Sequence, residues 1–110
     1  MKHLIEKYAS GIKEAQIAAI NAKGSEDGGT CNMDSVVIDF TGWRSNAIQQ
    51  VAQLSGVSIG DKLSSSMWKG CCFINIYIEG QGNSSSRMVE AATRRLKELE
   101  IPAMTYYQMD

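Results

Sequence analysis

The chain has 110 residues and a formal net charge of −1, with 44% hydrophobic and 21% charged residues. This is the length of one domain, and the composition is that of a globular protein rather than a disordered one. The balanced charge excludes the global positive field that holds proteins on duplex nucleic acid. We find neither a signal peptide nor an apolar run of roughly 18 residues that could span a membrane, so we expect a cytoplasmic protein.

The chain begins with an amphipathic helical pattern. Apolar residues recur at intervals of three and four from Lys2 to Lys23, and Gly24 is placed to stop the helix. Residues 24–30 are mostly glycines and short polar residues, which are typical of a loop. The β-branched run at residues 36–40 then predicts a strand.

A second, shorter helix follows the first strand. Ser45 can cap it, and Gly56 lies near its end. The polar, serine-rich residues 56–66 predict a loop. Residues 71–79 alternate between a β-branched face and a polar, aromatic face, which predicts a strand that packs one face against helices.

A third helix and a last strand complete the chain. The serines at 84–86 are candidate N-caps of the helix, and Pro102 ends it. Residues 103–109, rich in threonine and tyrosine, predict a strand. The order of helix and strand, repeated three times, predicts a single α+β domain of residues 1–110, in which helices pack on a small sheet of three or more strands. The sequence leaves open whether the strands are parallel or antiparallel.

The stretch from Ile78 to Arg87 combines the features of an anion-binding loop. Its glycines let backbone approach a ligand, hydroxyl residues lie at a helix start, and Arg87 could bind a phosphate with two hydrogen bonds. The stretch is neither a Walker loop nor a dinucleotide fingerprint, and the alternative interpretation is an ordinary strand-to-helix turn. The ligand-binding residues predicted here are Gly80, Gln81, Gly82, Asn83, Ser84 and Arg87.

A second glycine-containing loop and several aromatic residues could complete a nucleotide site. Asn32 closes the loop at 27–32, and aromatic side chains can stack on a base. The alternative is that these aromatic residues belong to the core or to an interface. The aromatic candidates are Trp43, Trp68, Phe73, Tyr106 and Tyr107. Among these we predict ligand contacts for Trp43 and Tyr106, together with Asn32.

Groups for catalysis are scarce. The one histidine, His3, lies near the N-terminus, and the three cysteines lack the spacing of metal ligands. We therefore predict no catalytic residue, no metal and no cofactor. An alternative, a metal-dependent phosphodiesterase, would have to use carboxylates. The candidates are Asp34, Asp39, Asp61 and Glu79.

Three parts of the chain resemble a family of small phage and prophage proteins. These parts are residues 28–35, the run Gly80-Gln81-Gly82-Asn83 followed by residues 87–91, and residues 106–110. Within that group the chain is most similar to the anti-Thoeris sponges of the first Thoeris anti-defence family. Those proteins sequester the cyclic ADP-ribose isomers that TIR-domain immune enzymes make.

The resemblance implies a non-enzymatic protein of the host-cell cytoplasm that captures a nucleotide signal and releases it unchanged on denaturation. The signal would be a cyclic ADP-ribose isomer, or also a cyclic oligonucleotide, and its capture would inhibit Thoeris- or CBASS-type defence. It also implies a homo-oligomer, a dimer or a hexamer, with pockets at subunit boundaries, and ligand contacts at residues 80–83 and Arg87. Relatives carry basic residues where this chain has the serines at 84–86. The alternatives that stay open are a phosphodiesterase that cleaves such a signal and a protein-interaction module that blocks a host factor.

Overall fold

The computed structural model describes residues 1–23, 34–78 and 83–107. Its elements are α1 (Lys2–Ala22), β1 (Ser35–Asp39), α2 (Ser45–Ser55), β2 (Cys71–Ile74), α3 (Asn83–Glu98) and β3 (Ala103–Tyr106). The predicted order and the α+β class are confirmed. The last strand, predicted to reach Met109, ends at Tyr106. None of the described helices is long and apolar enough to cross a membrane.

The sheet is antiparallel, with β1 in the centre and the strand order β2-β1-β3. Val36 lies opposite Ile74 of β2, whereas Val37 lies opposite Phe73 of β2 and Met104 of β3. Because side chains alternate along a strand, these two sets point to opposite faces of the sheet. β2 and β3 run parallel to each other on either side of β1, and α3 connects them.

One face of the sheet carries the hydrophobic core. Ile12 of α1, Val51 of α2 and Leu96 of α3 are fully buried. They form one cluster with Ile38 of β1 and Cys72 of β2, so all three helices share this core. Truncating a core residue such as Leu96 to alanine typically costs about 2–5 kcal/mol of stability. The predicted apolar face of the second strand therefore packs against the helices as expected.

Two predicted helix caps are wrong. Ser45 is the first residue of α2, and the capping position is taken by Arg44, whose side chain makes no capping hydrogen bond. Gly56, by contrast, ends α2 in the left-handed conformation, with φ 73°, as predicted. α3 begins at Asn83, so the serines at 84–86 lie inside its first turn. Capping preferences locate a helix start only to within about one or two residues, because helix ends fray and neighbouring positions can begin the same helix.

The second strand is shorter than the predicted run to Glu79. Its pairing with β1 ends at Ile74, which lies opposite Val36, and the N–H of the next residue, Asn75, donates to the carbonyl of Ser58 instead. Beyond this point the side-chain amide of Gln16 holds the chain against α1. Its Nε2 donates to the carbonyl of Tyr77 (3.1 Å), and its Oε1 accepts from the N–H of Tyr77 (2.5 Å). A side chain thus satisfies backbone groups that a neighbouring strand would otherwise bond.

The predicted loop at residues 56–66 is irregular, but it is tied to the sheet. The N–H of Gly60 donates to the carbonyl of Phe73 (3.0 Å), and the N–H of Leu63 donates to that of Cys71 (2.8 Å). The segment therefore covers the outer edge of β2.

Candidate functional site

The predicted ligand-binding loop is only partly described by the structure. Gly80, Gln81 and Gly82 lie outside the described residues, as does Asn32, and Asn83 is described only as the first residue of α3. The structure describes the helix start that follows the loop.

The carboxylate of Asp34 lies at the start of α3. The hydroxyl of Ser86 donates to Oδ2 of Asp34, at 3.0 Å. A carboxylate is stabilised beside the first turn of a helix, and it repels a second anion there. Ser84 is fully buried, whereas Arg87 is exposed. Of Ser84 and Arg87, the predicted residues whose side chains the structure describes here, Arg87 is therefore the one that faces solvent.

Trp43 packs against the helical core. Its ring centroid lies 4.7 Å from that of Tyr8 and 5.0 Å from that of Phe40. Phe40 is fully buried and Tyr8 is buried, while Trp43 is half-buried. These contacts give Trp43 a packing role at the end of β1, with one part of the indole left at the surface.

Tyr106 belongs to a second group of rings, on the face of the sheet that points away from the helices. Its ring centroid lies 5.1 Å from that of Trp68 and 5.2 Å from that of Phe73. We call Trp68, Phe73 and Tyr106 the aromatic cluster. Phe73 on β2 and Tyr106 on β3 meet above the central strand, which explains why Val37 of that strand is fully buried on the side away from the main core.

The structure does not bring Trp43 and Tyr106 into one pocket. Tyr106 lies opposite Ser35, at the start of β1, whereas Trp43 follows the end of that strand at Asp39. A strand of this length spans roughly 16 Å. The hydrogen bond from α3 to Asp34 places Arg87 at the Tyr106 end of the sheet.

A cleft opens at the opposite end of β1, where the chain turns towards α2. Its volume is about 760 Å³, which is within the usual size of a small-molecule pocket. Three separate turns of the chain meet there. We call it the lysine cleft, and its lining residues are Thr41, Gly42, Lys62, Leu63, Ser64, Lys69 and Gly70.

Two glycines shape the lysine cleft. Gly42 has φ 86° and Gly70 has φ 85°, in the left-handed region that glycine adopts at little cost. A Cβ atom on Gly70 would press against Oγ1 of Thr41, so the two turns can approach each other only because this position has no side chain.

Both charged residues that line the lysine cleft, Lys62 and Lys69, are positive. The ammonium of Lys62 donates one hydrogen bond to the carbonyl of Trp43, at 2.5 Å. Asp39 lies nearby, and its Oδ1 accepts from the hydroxyl (2.6 Å) and the N–H (2.9 Å) of Thr41. These two hydrogen bonds, with a smaller contribution from the charge of Lys62, lower the pKa of Asp39. The carboxylate is thus occupied within its own turn, while Lys62 and Lys69 line the cavity.

A second groove, of about 640 Å³, lies between the start of α1 and α2. Apolar side chains such as Ile5 and Leu54 form much of its surface, and Lys2 and Arg44 stand beside the acidic Glu6. The lining of this groove is more apolar than that of the lysine cleft, and it includes the carboxylate of Glu6. The lysine cleft is therefore the better match for an anionic ligand.

No protein-family model, curated protein or solved structure matches this chain. The function therefore has to be inferred from the chemistry of its own residues, because a fold class is compatible with many activities.

The thiols of Cys71 and Cys72, which follow Gly70 of the lysine cleft, are buried. Burial raises the pKa of the thiols of Cys71 and Cys72, and the neighbouring Asp39 raises that of Cys71 further. A thiol is a weak nucleophile while it stays protonated. No group of three potential metal ligands occurs within residues 1–23, 34–78 and 83–107. Asp34 and Asp39 flank β1 at its two ends, too far apart to share a metal ion.

None of the residues that line the lysine cleft was predicted from the sequence as a ligand contact. The sequence does carry a signal for two of the turns that form the cleft. Thr41-Gly42 closely follows one strand, and Lys69-Gly70 directly precedes another. A polar residue followed by glycine at a strand end marks a turn. Nothing in the sequence indicates that these two turns meet each other and Lys62.

Proposed function

We propose that this protein is a nucleotide sponge, which binds a phosphate-bearing signal and holds it without cleaving it. The ligand class is the one that the resemblance to anti-Thoeris proteins implies, a cyclic ADP-ribose isomer or a cyclic oligonucleotide, captured in the host cytoplasm so that Thoeris- or CBASS-type defence is inhibited. A homo-oligomer, dimer or hexamer, is part of the proposal, because a small domain buries a ligand more completely at a subunit boundary.

The observation that carries the proposal is the lysine cleft. Two ammonium groups, of Lys62 and Lys69, line a cavity together with the hydroxyl of Ser64. Ammonium and hydroxyl donors bind phosphate oxygens, and hydrogen bonds that involve a charged group are stronger than neutral ones. The segment that supplies Lys69 also supplies Trp68 of the aromatic cluster, which can stack on a base.

Retention without cleavage is supported by the groups that surround the cleft. The raised pKa values of Cys71 and Cys72 keep both thiols protonated at neutral pH. The carboxylate of Asp39 accepts two hydrogen bonds from Thr41 of the cleft, which hold it within its own turn.

The test is a calorimetric and thermal-shift screen with cyclic ADP-ribose isomers and cyclic dinucleotides. A ligand that binds the folded state raises Tm. We expect Lys62→Gln/Lys69→Gln to weaken binding by about tenfold or more, since each charge-assisted hydrogen bond contributes roughly 1.5–3 kcal/mol. The Tm of the unliganded variant should stay close to wild type, because exposed charges contribute little to stability. Lys13→Gln, an identical change at an exposed position of α1, is the matched control.

Chromatography after heat denaturation then separates the candidate functions. Recovery of the intact ligand supports a sponge. Recovery of a cleaved product would show a phosphodiesterase instead. If no nucleotide in the panel binds and one host protein is captured specifically, the protein is an interaction module and the proposal is wrong.

A further inference from the structure

The two edges of the three-stranded sheet differ. Along the outer edge of β2, backbone hydrogen bonds join Gly60 to Phe73 and Leu63 to Cys71, and the N–H of Asn75 donates to a carbonyl of the same covering segment at 3.0 Å. Along the outer edge of β3, no described residue makes a backbone hydrogen bond. One edge of the sheet is therefore covered by the protein's own chain, whereas the other presents free backbone groups within the described part of the chain.

The register shows which groups these are. The N–H of Asp39 donates to the carbonyl of Pro102, at 2.9 Å. Hydrogen-bonded pairs alternate along an antiparallel ladder, so the next bonded pairs are Val37 with Met104 and Ser35 with Tyr106. The N–H and carbonyl groups of the intervening residues point away from β1. These outward-facing residues are Ala103, Thr105 and, directly after the strand, Tyr107.

This edge lacks the features that protect edge strands. Residues 103–107 contain no charged residue and no proline, and the ladder with β1 has no bulge. Met104 is 37% exposed and Tyr107 is 63% exposed. Natural sheets usually place lysine, proline or a bulge on a free edge, because an unprotected edge pairs with another strand.

We propose that β3 pairs with β3 of a second copy of this chain, antiparallel and about a two-fold axis at Thr105, to form a continuous six-stranded sheet. In this register Met104 of each copy lies opposite Tyr106 of the other, and Ala103 lies opposite Tyr107. The inference rests on the homo-oligomer within the proposed function, but not on the ligand.

Self-complementarity favours a second copy over an unrelated strand. The exposed Met104 gains an aromatic neighbour, and methionine sulfur packs favourably against rings. The bulky Tyr107 meets the small side chain of Ala103. No like charges face each other across the axis, where they would destabilise the pairing. The aromatic clusters of both copies come to lie on the same side of the joined sheet.

The size of the interface sets the expected affinity. Five paired residues span roughly 17 Å, so the edge alone buries much less than the ~800 Å² per partner of a standard interface. We therefore expect a dimer with a Kd in the micromolar range or weaker, which is the strength typical of small interfaces.

The test compares Thr105→Pro with Thr105→Val. Both substitutions remove the hydroxyl that donates to Oγ1 of Thr93, but only proline removes the outward N–H. Sedimentation velocity without nucleotide, up to millimolar protein, should show dimerisation of wild type and Thr105→Val. Dimerisation of Thr105→Pro should be weaker by about tenfold or more, because two backbone hydrogen bonds across the axis are lost. Circular dichroism establishes that each variant is folded.

Hydrogen exchange on the wild-type protein keeps the proposal testable if Thr105→Pro does not fold. The amides of Ala103, Thr105 and Tyr107 should gain protection as the protein concentration rises. The proposal is overturned if wild type stays monomeric at every concentration, if Thr105→Pro dimerises like Thr105→Val, or if Thr105 is fully protected in the dilute monomer. The last result would show that another part of the same chain covers β3. Nucleotide binding is measured separately, so its failure leaves this test intact.

Discussion

Gly70 is the residue whose replacement tests the geometry of the lysine cleft most directly. Its φ is 85°, and a Cβ atom there would press against Oγ1 of Thr41. Gly42 is a matched control, because its φ of 86° is nearly the same while the space around its missing Cβ is open. Gly42→Ala and Gly70→Ala therefore share the backbone cost, and only the second adds a steric contact.

The expected losses of stability follow from the backbone cost, which both variants share, and from the steric contact, which only Gly70→Ala adds. A left-handed conformation costs a residue with a side chain about 1–2 kcal/mol, and the reduced entropy of the unfolded chain offsets part of this. We expect Gly42→Ala to lower the free energy of unfolding by about 1 kcal/mol. Gly70→Ala should cost about 1–3 kcal/mol more, the usual penalty of overpacking. Thr41 cannot move away freely, because its hydroxyl is bonded to Asp39 at 2.6 Å.

Urea unfolding of the two variants measures the difference. In a double-mutant cycle, Thr41→Ala should recover part of the loss caused by Gly70→Ala, because it removes Oγ1, the atom that the new Cβ would contact. Equal stabilities for Gly42→Ala and Gly70→Ala would refute the close approach of the two turns. Strict additivity of Thr41→Ala and Gly70→Ala would refute it as well.

Three further predictions concern the surroundings of the site. The pKa of Asp39 lies below its unfolded value, so its charge stabilises the fold above about pH 4, and this contribution is lost as the pH falls through the folded pKa. Asp39→Asn should therefore be less stable than wild type at pH 7, and the difference should shrink as the pH falls below about 4. A gap in urea midpoint that does not change with pH would contradict this. Gln16→Ala should lower the free energy of unfolding by about 1 kcal/mol and speed hydrogen exchange at the amide of Tyr77, because two hydrogen bonds between these residues are lost. An unchanged exchange rate at Tyr77 would contradict this. In a Cys31→Ser variant, Cys71 and Cys72 should react slowly with a thiol reagent at pH 7 and quickly in denaturant, because both thiols are buried and protonated. Fast labelling of the native protein would contradict this.

Features that depend on neighbours along the chain could be predicted from the sequence. α1 ends at Ala22, one residue before the predicted end, because a spacing of three and four residues is a local property of one helix. The alternation after Cys71 likewise identified which face of the second strand is buried. The exact helix starts could not be predicted, as at Ser45, because several residues can occupy a capping position at similar cost and tertiary packing selects among them.

Features that depend on which distant residues meet were decided by the tertiary structure. The sequence offered five aromatic candidates, but only strand register separates Trp43 at one end of β1 from Tyr106 at the other.

The same holds for the lysine cleft. Thr41, Lys62 and Lys69 come from three turns that local patterns describe one at a time. The pattern of apolar and polar residues determined the elements and the side of each that is buried, because burial depends on the periodicity of a single element. Antiparallel pairing, the covered edge of β2 and the open edge of β3 depend on hydrogen bonds between segments far apart in the chain, and no local periodicity encodes that choice of partner.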